Sequence, residues 1–111
     1  MDCIFCKIAA REIDSELLYE DEAVVAFRDI NPVAPTHVLI VPREHIERIS
    51  DIQPRHAEMV GRLHLVAGEI AARTGLSDYR LVFNCGPEAG QAVYHIHLHL
   101  IGGRKMTWPP G

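Results

Sequence analysis

Three histidines stand at alternate positions in the run His95-Ile96-His97-Leu98-His99. In an extended strand such positions share a face, so the three imidazoles point one way while Ile96, Leu98 and Leu100 point the other way, into a core. Three unpaired imidazoles in a row would be costly to bury, which marks the run as a site for chemistry. Two chemistries suit it. Imidazole is a common zinc ligand, and a histidine whose one ring nitrogen is held by a hydrogen bond presents the other as a nucleophile. The loop Gly86 to Gln91 just upstream carries glycines that let backbone N–H groups approach an anion closely. The histidine run holds no aspartate or glutamate to complete a hydrolytic two-metal site. Both features favour His97 as a nucleophile on a phosphate.

Cys3 and Cys6 form a second chemical group, a Cys-x-x-Cys pair at the start of the chain. In a reducing compartment such a pair reads as metal-binding or redox-active rather than as a structural disulfide. The alternative is that both are small residues in an N-terminal helix, with His45 on the surface. Cys85 makes the cysteine count odd, which argues against a disulfide framework. It has no evident base partner and reads as a small buried residue. His37 opens an apolar run and is a candidate for the active-site network, whereas His56 and His64 read as solvated helix residues without a role.

These groups must be held by a scaffold of alternating elements. Leu17 to Glu20 and Ala23 to Phe27 read as two strands around a turn at Asp21-Glu22, and His37 to Val41 as a central strand stopping at Pro42. Asn31 to Thr36, with two prolines, is a loop. Arg55 to Arg73 carries the one strong helical period, with Met59, Leu63, Val66, Ala67 and Ile70 on one stripe. Ser50 with Gln53 is a possible capping box, Pro54 suits a first turn and Gly75 a stop. Tyr79 to Asn84 and Val93 to Ile101 read as further strands, the last halted by Gly102-Gly103. The expected fold is α+β, with a mainly antiparallel five-stranded sheet and one long helix. Residues 102–111 suit neither helix nor sheet interior, yet hold the sole tryptophan, Trp108. An indole gains much from burial, so this tail is expected to pack on its own domain or on a second subunit.

Bulk properties narrow the classes further. A chain of 111 residues, 48% hydrophobic and 23% charged, is expected to form a single domain over residues 1–111. No apolar stretch approaches the roughly 18–20 residues that a membrane span needs. Met1-Asp2-Cys3-Ile4-Phe5 lacks the pattern of a secretory signal, so a cytoplasmic location is expected. A net charge of -4 argues against broad binding to nucleic acid, which wants a basic face. It does not exclude a small phosphate ligand held by local donors.

The run His95 to Ile101 resembles the signature of the histidine-triad nucleotide-binding superfamily. Further motifs are similar to its Hint branch of nucleoside phosphoramidate hydrolases: Cys3-Ile4-Phe5, Ala26 to Pro32, Ala34 to His37, Gly90 to His95, and Gly102-Gly103-Arg104 leading to Trp108-Pro109-Pro110-Gly111. The resemblance implies a histidine-triad fold with a short N-terminal helix, in a homodimer whose sheet extends across two subunits and whose tail 102–111 lies at the interface. It implies hydrolysis of purine nucleoside 5′-phosphoramidates through a nucleotidyl-histidine, without a redox cofactor. His97 would be the nucleophile and His99 a phosphate contact. Asn84 and Gln91 would hold phosphate and leaving group, Asp29 the ribose hydroxyls, and Phe5, Ile8 and Ile30 the purine, with Trp108 also at the substrate. Members with a full ligand set bind a structural zinc ion, and here Cys3, Cys6, His45 and His95 fill those positions. Ala92 departs from the pattern where better-known members have a serine near the leaving group, and Arg28 replaces a histidine beside Asp29. Two other readings remain: a dinucleoside polyphosphate hydrolase, disfavoured by the Trp-Pro-Pro-Gly ending, and a nucleotide-sensing or partner-binding module with incidental turnover.

Overall fold

The computed structural model describes residues 2–111. Helix α1 (Ile4–Ala9) is followed by β1 (Leu17–Glu20), β2 (Val24–Arg28) and β3 (Thr36–Pro42), then helix α2 (Ala57–Arg73), β4 (Tyr79–Val82) and β5 (Leu98–Gly102). The strands form one sheet in the order β1-β2-β3-β5-β4, and every neighbouring pair is antiparallel. Among the described residues no helix is long and apolar enough to cross a membrane.

Strand alternation divides the sheet into two working faces. Val24, Ala26, Val38, Ile40, Leu98 and Leu100 face α2, whose Leu63, Val66, Ala67 and Ile70 complete the larger core. Each of the valine, leucine and isoleucine side chains among them contributes about 1.5–3 kcal/mol on burial. The predicted stripe of α2 is thus the buried one, with Met59 packed at its margin. On the opposite face, Val25, Phe27, Leu39 and Val41 pack against Cys3, Phe5, Ile8 and Ala9 of the N-terminal segment. This second, smaller core positions the site. Phe27 pairs with Leu39 and Leu39 with His99, so one row across three strands runs from apolar floor to imidazole.

The turn between β1 and β2 is built by Asp21, whose carboxylate accepts from the backbone N–H groups of Ala23 and Val24 at 2.7 and 2.8 Å and from Arg62 Nε at 2.9 Å. Burial pushes its carboxyl up, but a hydrogen bond donated by the Tyr19 hydroxyl at 2.7 Å, together with these, outweighs that and holds it at about 2. Arg62 lies on α2, so the turn is also tied to the helix. Gly75 ends α2 with φ of +75°, a backbone conformation that costs glycine little.

Several expectations need correction. Strand β5 begins at Leu98, not Val93, because the backbone before it is bound elsewhere: Ile96 N–H donates to Ile46 O at 2.8 Å. Side-chain alternation nevertheless persists, with Ile96 in the larger core. Helix α2 starts at Ala57 after a 3-10 turn over Pro54–His56. In place of the Ser50–Gln53 box, Gln53 N–H donates to His56 Nδ1 at 2.9 Å. His56 is accordingly buried rather than solvated, its Nε2 lying 3.1 Å from Glu44 Oε2. Strand β4 stops at Val82, two residues short of the expected end. Cys85 is exposed, not buried, and hydrogen bonds from Ser50 hold its thiol below the usual range.

Candidate functional site

Backbone carbonyls decide what each histidine of the run can do, because a carbonyl only accepts. His95 Nε2 lies 2.7 Å from Pro42 O, so Nε2 carries the proton and Nδ1 keeps its lone pair. His97 Nδ1 lies 2.8 Å from the carbonyl of His95, so Nδ1 carries the proton and the lone pair is on Nε2. The two rings therefore present opposite nitrogens to two different places.

The Nδ1 of His95 faces Cys3 Sγ at 3.3 Å, Cys6 Sγ at 3.5 Å and His45 Nδ1 at 3.2 Å, and Cys6 Sγ lies 3.5 Å from His45 Nδ1. Zinc bonds of about 2.0–2.3 Å in a tetrahedron imply ligand–ligand edges of roughly 3.3–3.8 Å. The four donor atoms lie within 4.8 Å of one another, and their spacings are close to that range. The Cys₂His₂ set is chemically and geometrically fit to hold a metal ion, and among the described residues Cys3 and Cys6 are free thiols. Local structure explains the convergence. Cys3 caps α1, accepting at its sulfur from Cys6 N–H at 3.4 Å, so both thiols lie on the first turn. Burial pushes the Cys6 thiol up, helped by neighbouring Cys3.

His97 lies in the wall of a cavity of about 450 Å³, a size suited to a small organic ligand. Phe5, Ile8, Phe27, Leu39 and Val93 give it an apolar end, and Asp29, Ile30 and Asn31 form part of its lining together with His37 and His99. The Phe5 ring meets His97 edge-on, 5.1 Å between centroids, and stands 5.4 Å from Phe27. Asp29 Oδ1 accepts from Asn31 N–H at 2.8 Å and Oδ2 lies 3.4 Å from His37 Nε2. Burial, reinforced by the neighbouring His97 and His37, lowers the pKa of His99 to about 4, so its ring is neutral at pH 7. Its Nε2 is shielded from solvent and has no hydrogen-bond partner among the described residues.

The structure thus brings Phe5, Ile8, Asp29, Ile30, His97 and His99 to one cavity, and Cys3, Cys6, His45 and His95 to one cluster. Others are placed differently. Gln91 is buried, its Oε1 accepting from Gly86 N–H and its Nε2 donating to Glu47 O and Val93 O. Its amide holds the Gly86–Val93 loop in shape and does not line the cavity; the neighbouring Ala92 does. Asn84 stands behind Gly90, where a Cβ would come 3.6 Å from its Nδ2. Gly90 itself lines the cavity with φ of +97°. Trp108 is 81% exposed and lines a groove along β4 with Arg80 and Asn84, away from the cavity. Phe27, Leu39 and Val93 were not singled out from sequence. The row pairing Phe27, Leu39 and His99 is the signal that would have found the first two.

Comparison with known proteins agrees with this geometry. The family model described as "Scavenger mRNA decapping enzyme C-term binding" matches residues 2–108. A "14 kDa zinc-binding protein" of Zea mays is 53% identical, the match covering 97% of this chain and 87% of the relative. "Adenylylsulfatase HINT1" of Arabidopsis thaliana is 48% identical, with 97% and 76% covered. Among solved structures, a HIT family hydrolase from Legionella pneumophila Philadelphia 1 superposes with a TM-score of 0.96 at 52% identity, covering 99% of this chain and all of that one. A histidine triad protein from Clostridium difficile gives 0.92 at 45% identity, with 96% and 95% covered.

Proposed function

The chain belongs to the histidine-triad (HIT) family, and from that premise we propose that it hydrolyses the P–N bond of purine nucleoside 5′-phosphoramidates with His97 as nucleophile. One observation carries the reading: the carbonyl of His95 accepts a hydrogen bond from His97 Nδ1–H, which leaves the lone pair on Nε2 of a residue that lines a nucleotide-sized cavity. In the first step Nε2 attacks the α-phosphorus, a P–N bond to imidazole forms, and the substrate P–N bond breaks. The amine departs with the bonding pair and takes a proton from water. In the second step a water attacks phosphorus and gives its proton to the hydroxide left by the first, the bond to Nε2 breaks, and the electron pair returns to the ring. The balance is phosphoramidate plus water giving nucleoside monophosphate plus amine. Splitting one displacement into two in this way lowers the barrier to each.

The remaining residues take positions that suit the substrate. Phe5, Ile8 and Ile30 would flank the purine, Asp29 would accept from the ribose hydroxyls, and His99 would meet a phosphate oxygen. Asn84 would act beside Gly90, and Gln91 through the loop it holds. Cys3, Cys6, His45 and His95 would hold zinc, a reading supported by the name of the maize relative. The ion would supply a structural tie between α1 and the approach to β5. We assign the whole of residues 1–111 to one cytoplasmic domain that works as a homodimer, with the tail 102–111 and Trp108 at the interface, where Trp108 would also meet the substrate. The large exposure of Trp108 and Leu65 supports this.

A second leaving group is favoured by the name of the Arabidopsis relative. Sulfate departs from an adenylyl sulfate as a stable anion that needs no proton, which suits a cavity wall where Gly90, Ala92 and Val93 offer no side-chain proton donor. The test of the main reading is phosphorus NMR of adenosine 5′-phosphoramidate incubated with the protein. Conversion to AMP and free amine is expected, and full recovery of substrate would overturn it.

A further inference from the structure

Asp29, His37 and His99 bring three donor atoms within 4.8 Å of one another, a grouping that invites reading as a second metal site. The backbone speaks against it. Val33 N–H donates to His37 Nδ1 at 3.1 Å, and an amide N–H can only donate. His37 therefore keeps a lone pair on Nδ1 and its one ring proton on Nε2. A metal ion on Nε2 would require that last proton to leave, producing an imidazolate. The same contact excludes an imidazolium, which has no lone pair to offer.

The Nε2 proton of His37 points to His99 Nδ1 at 2.9 Å, with Asp29 Oδ2 the longer contact at 3.4 Å. His99 Nδ1 is then an acceptor, and the neutral ring must carry its own proton on Nε2. That atom is the one buried side-chain N or O without a partner among the described residues. A buried donor left unpaired is unusual in a folded protein, and this one belongs to a cavity-lining residue. Register explains why the pair meets: Leu39 lies opposite His99 and His37 opposite Ile101, so His37 and His99 are diagonal neighbours on one face, within reach of long side chains.

We infer that His37 is a positioning residue which, anchored by the Val33 amide, fixes His99 as an Nε2–H donor toward an acceptor oxygen of the bound substrate. The inference rests on the phosphoryl reading of the cavity and extends it to a residue outside the histidine run. The chain Val33 N–H to His37 to His99 has one direction only. Reversing the His99 link would leave His37 with no proton at all. Without His37, His99 could move its proton to Nδ1 and turn a lone pair toward the phosphate, exchanging attraction for repulsion as charge develops on the oxygen.

The test combines nitrogen-15 long-range correlation spectra of the histidines with steady-state kinetics on adenosine 5′-phosphoramidate. In the wild type His37 and His99 are both expected as Nε2–H tautomers. In His37→Leu the His99 signals should move toward Nδ1–H, with kcat falling about 100-fold, the scale of losing one oriented donor, and KM little changed. His37→Gln, which keeps an N–H near the Nε2 position, should restore most of that loss; a merely structural role would show no such selective rescue. A wild-type His99 protonated on Nδ1 overturns the inference, as does a folded His37→Leu that keeps its kcat. If His37→Leu fails to fold, the wild-type spectrum and the Gln variant decide. A protein without turnover contradicts the proposed activity rather than the relay, which the spectra settle independently.

Discussion

At the residue scale, three imidazoles in one short run carry two protonation patterns, Nε2–H at His95 and His99 and Nδ1–H at His97, each set by what a ring nitrogen touches. His95 donates from Nε2 to Pro42, His97 from Nδ1 to His95, and His99 accepts at Nδ1 from His37. The low pKa of His99, about 4 and caused chiefly by burial, has a consequence for stability. Unfolded, a histidine takes up its proton near pH 6.5, whereas folded His99 resists until about pH 4. The unfolded state therefore binds more protons in that window, and stability falls as pH drops from 6.5 toward 4, then levels off. Burial lowers His37 in the same sense, which adds to the loss of stability as pH falls below 6.5. His99→Gln should lose visibly less, as read by urea unfolding at pH 7 and pH 4.5; identical losses would contradict the assigned shift.

At the scale of elements, α1 links the two clusters. Its first turn supplies Cys3 and Cys6 to the Cys₂His₂ cluster, while Phe5 and Ile8 on the same six-residue helix line the cavity and Phe5 touches His97. A helix this short is not stable alone and depends on what it docks against. Removing metal with a chelator should leave α2 and the sheet intact by circular dichroism, while AMP affinity drops about tenfold, a loss of roughly 1.4 kcal/mol. Unchanged affinity of a protein shown to have lost its metal would break that link. The elements themselves were largely legible. The continuous apolar runs of β2 and β3 follow from burial on both faces and the stripe of α2 from burial on one, which residue types record directly. The start of β5 did not, because Val93 to His97 has the composition of a strand while Ile96 bonds to Ile46 and His95 to Pro42. The same limit hid His56, whose burial depends on Glu44 and Gln53, twelve and three residues away.

At the scale of the molecule, the antiparallel order puts β3 and β5 side by side inside the sheet, so His37 and His99 sit on interior strands and His95 and His97 on the segment that leads into β5. The candidate site was legible as a set of residues. Its internal wiring was not, since backbone carbonyls and amides carry no signature in residue type: nothing in the letters says that Val33 anchors His37 or that Gln91 is spent on its own loop. The outer surface leaves Leu65 and Trp108 uncovered at 73% and 81% exposure. Burial of such side chains in a second copy predicts a solution mass near twice 12.4 kDa. Light scattering on wild type and Trp108→Ala checks this; a monomeric wild type at micromolar concentration would remove the dimer from the account.

The central claim is that His97 attacks phosphorus through Nε2. Mixing the protein with adenosine 5′-phosphoramidate, quenching in acid within the first turnovers and recording the intact mass tests it directly. The account predicts a transient gain of one adenylyl group, mapped to His97 by peptide fragmentation, absent in His97→Gly and still present in Cys3→Ala. Turnover with no adduct at any quench time, or an adduct that persists in His97→Gly, would contradict it.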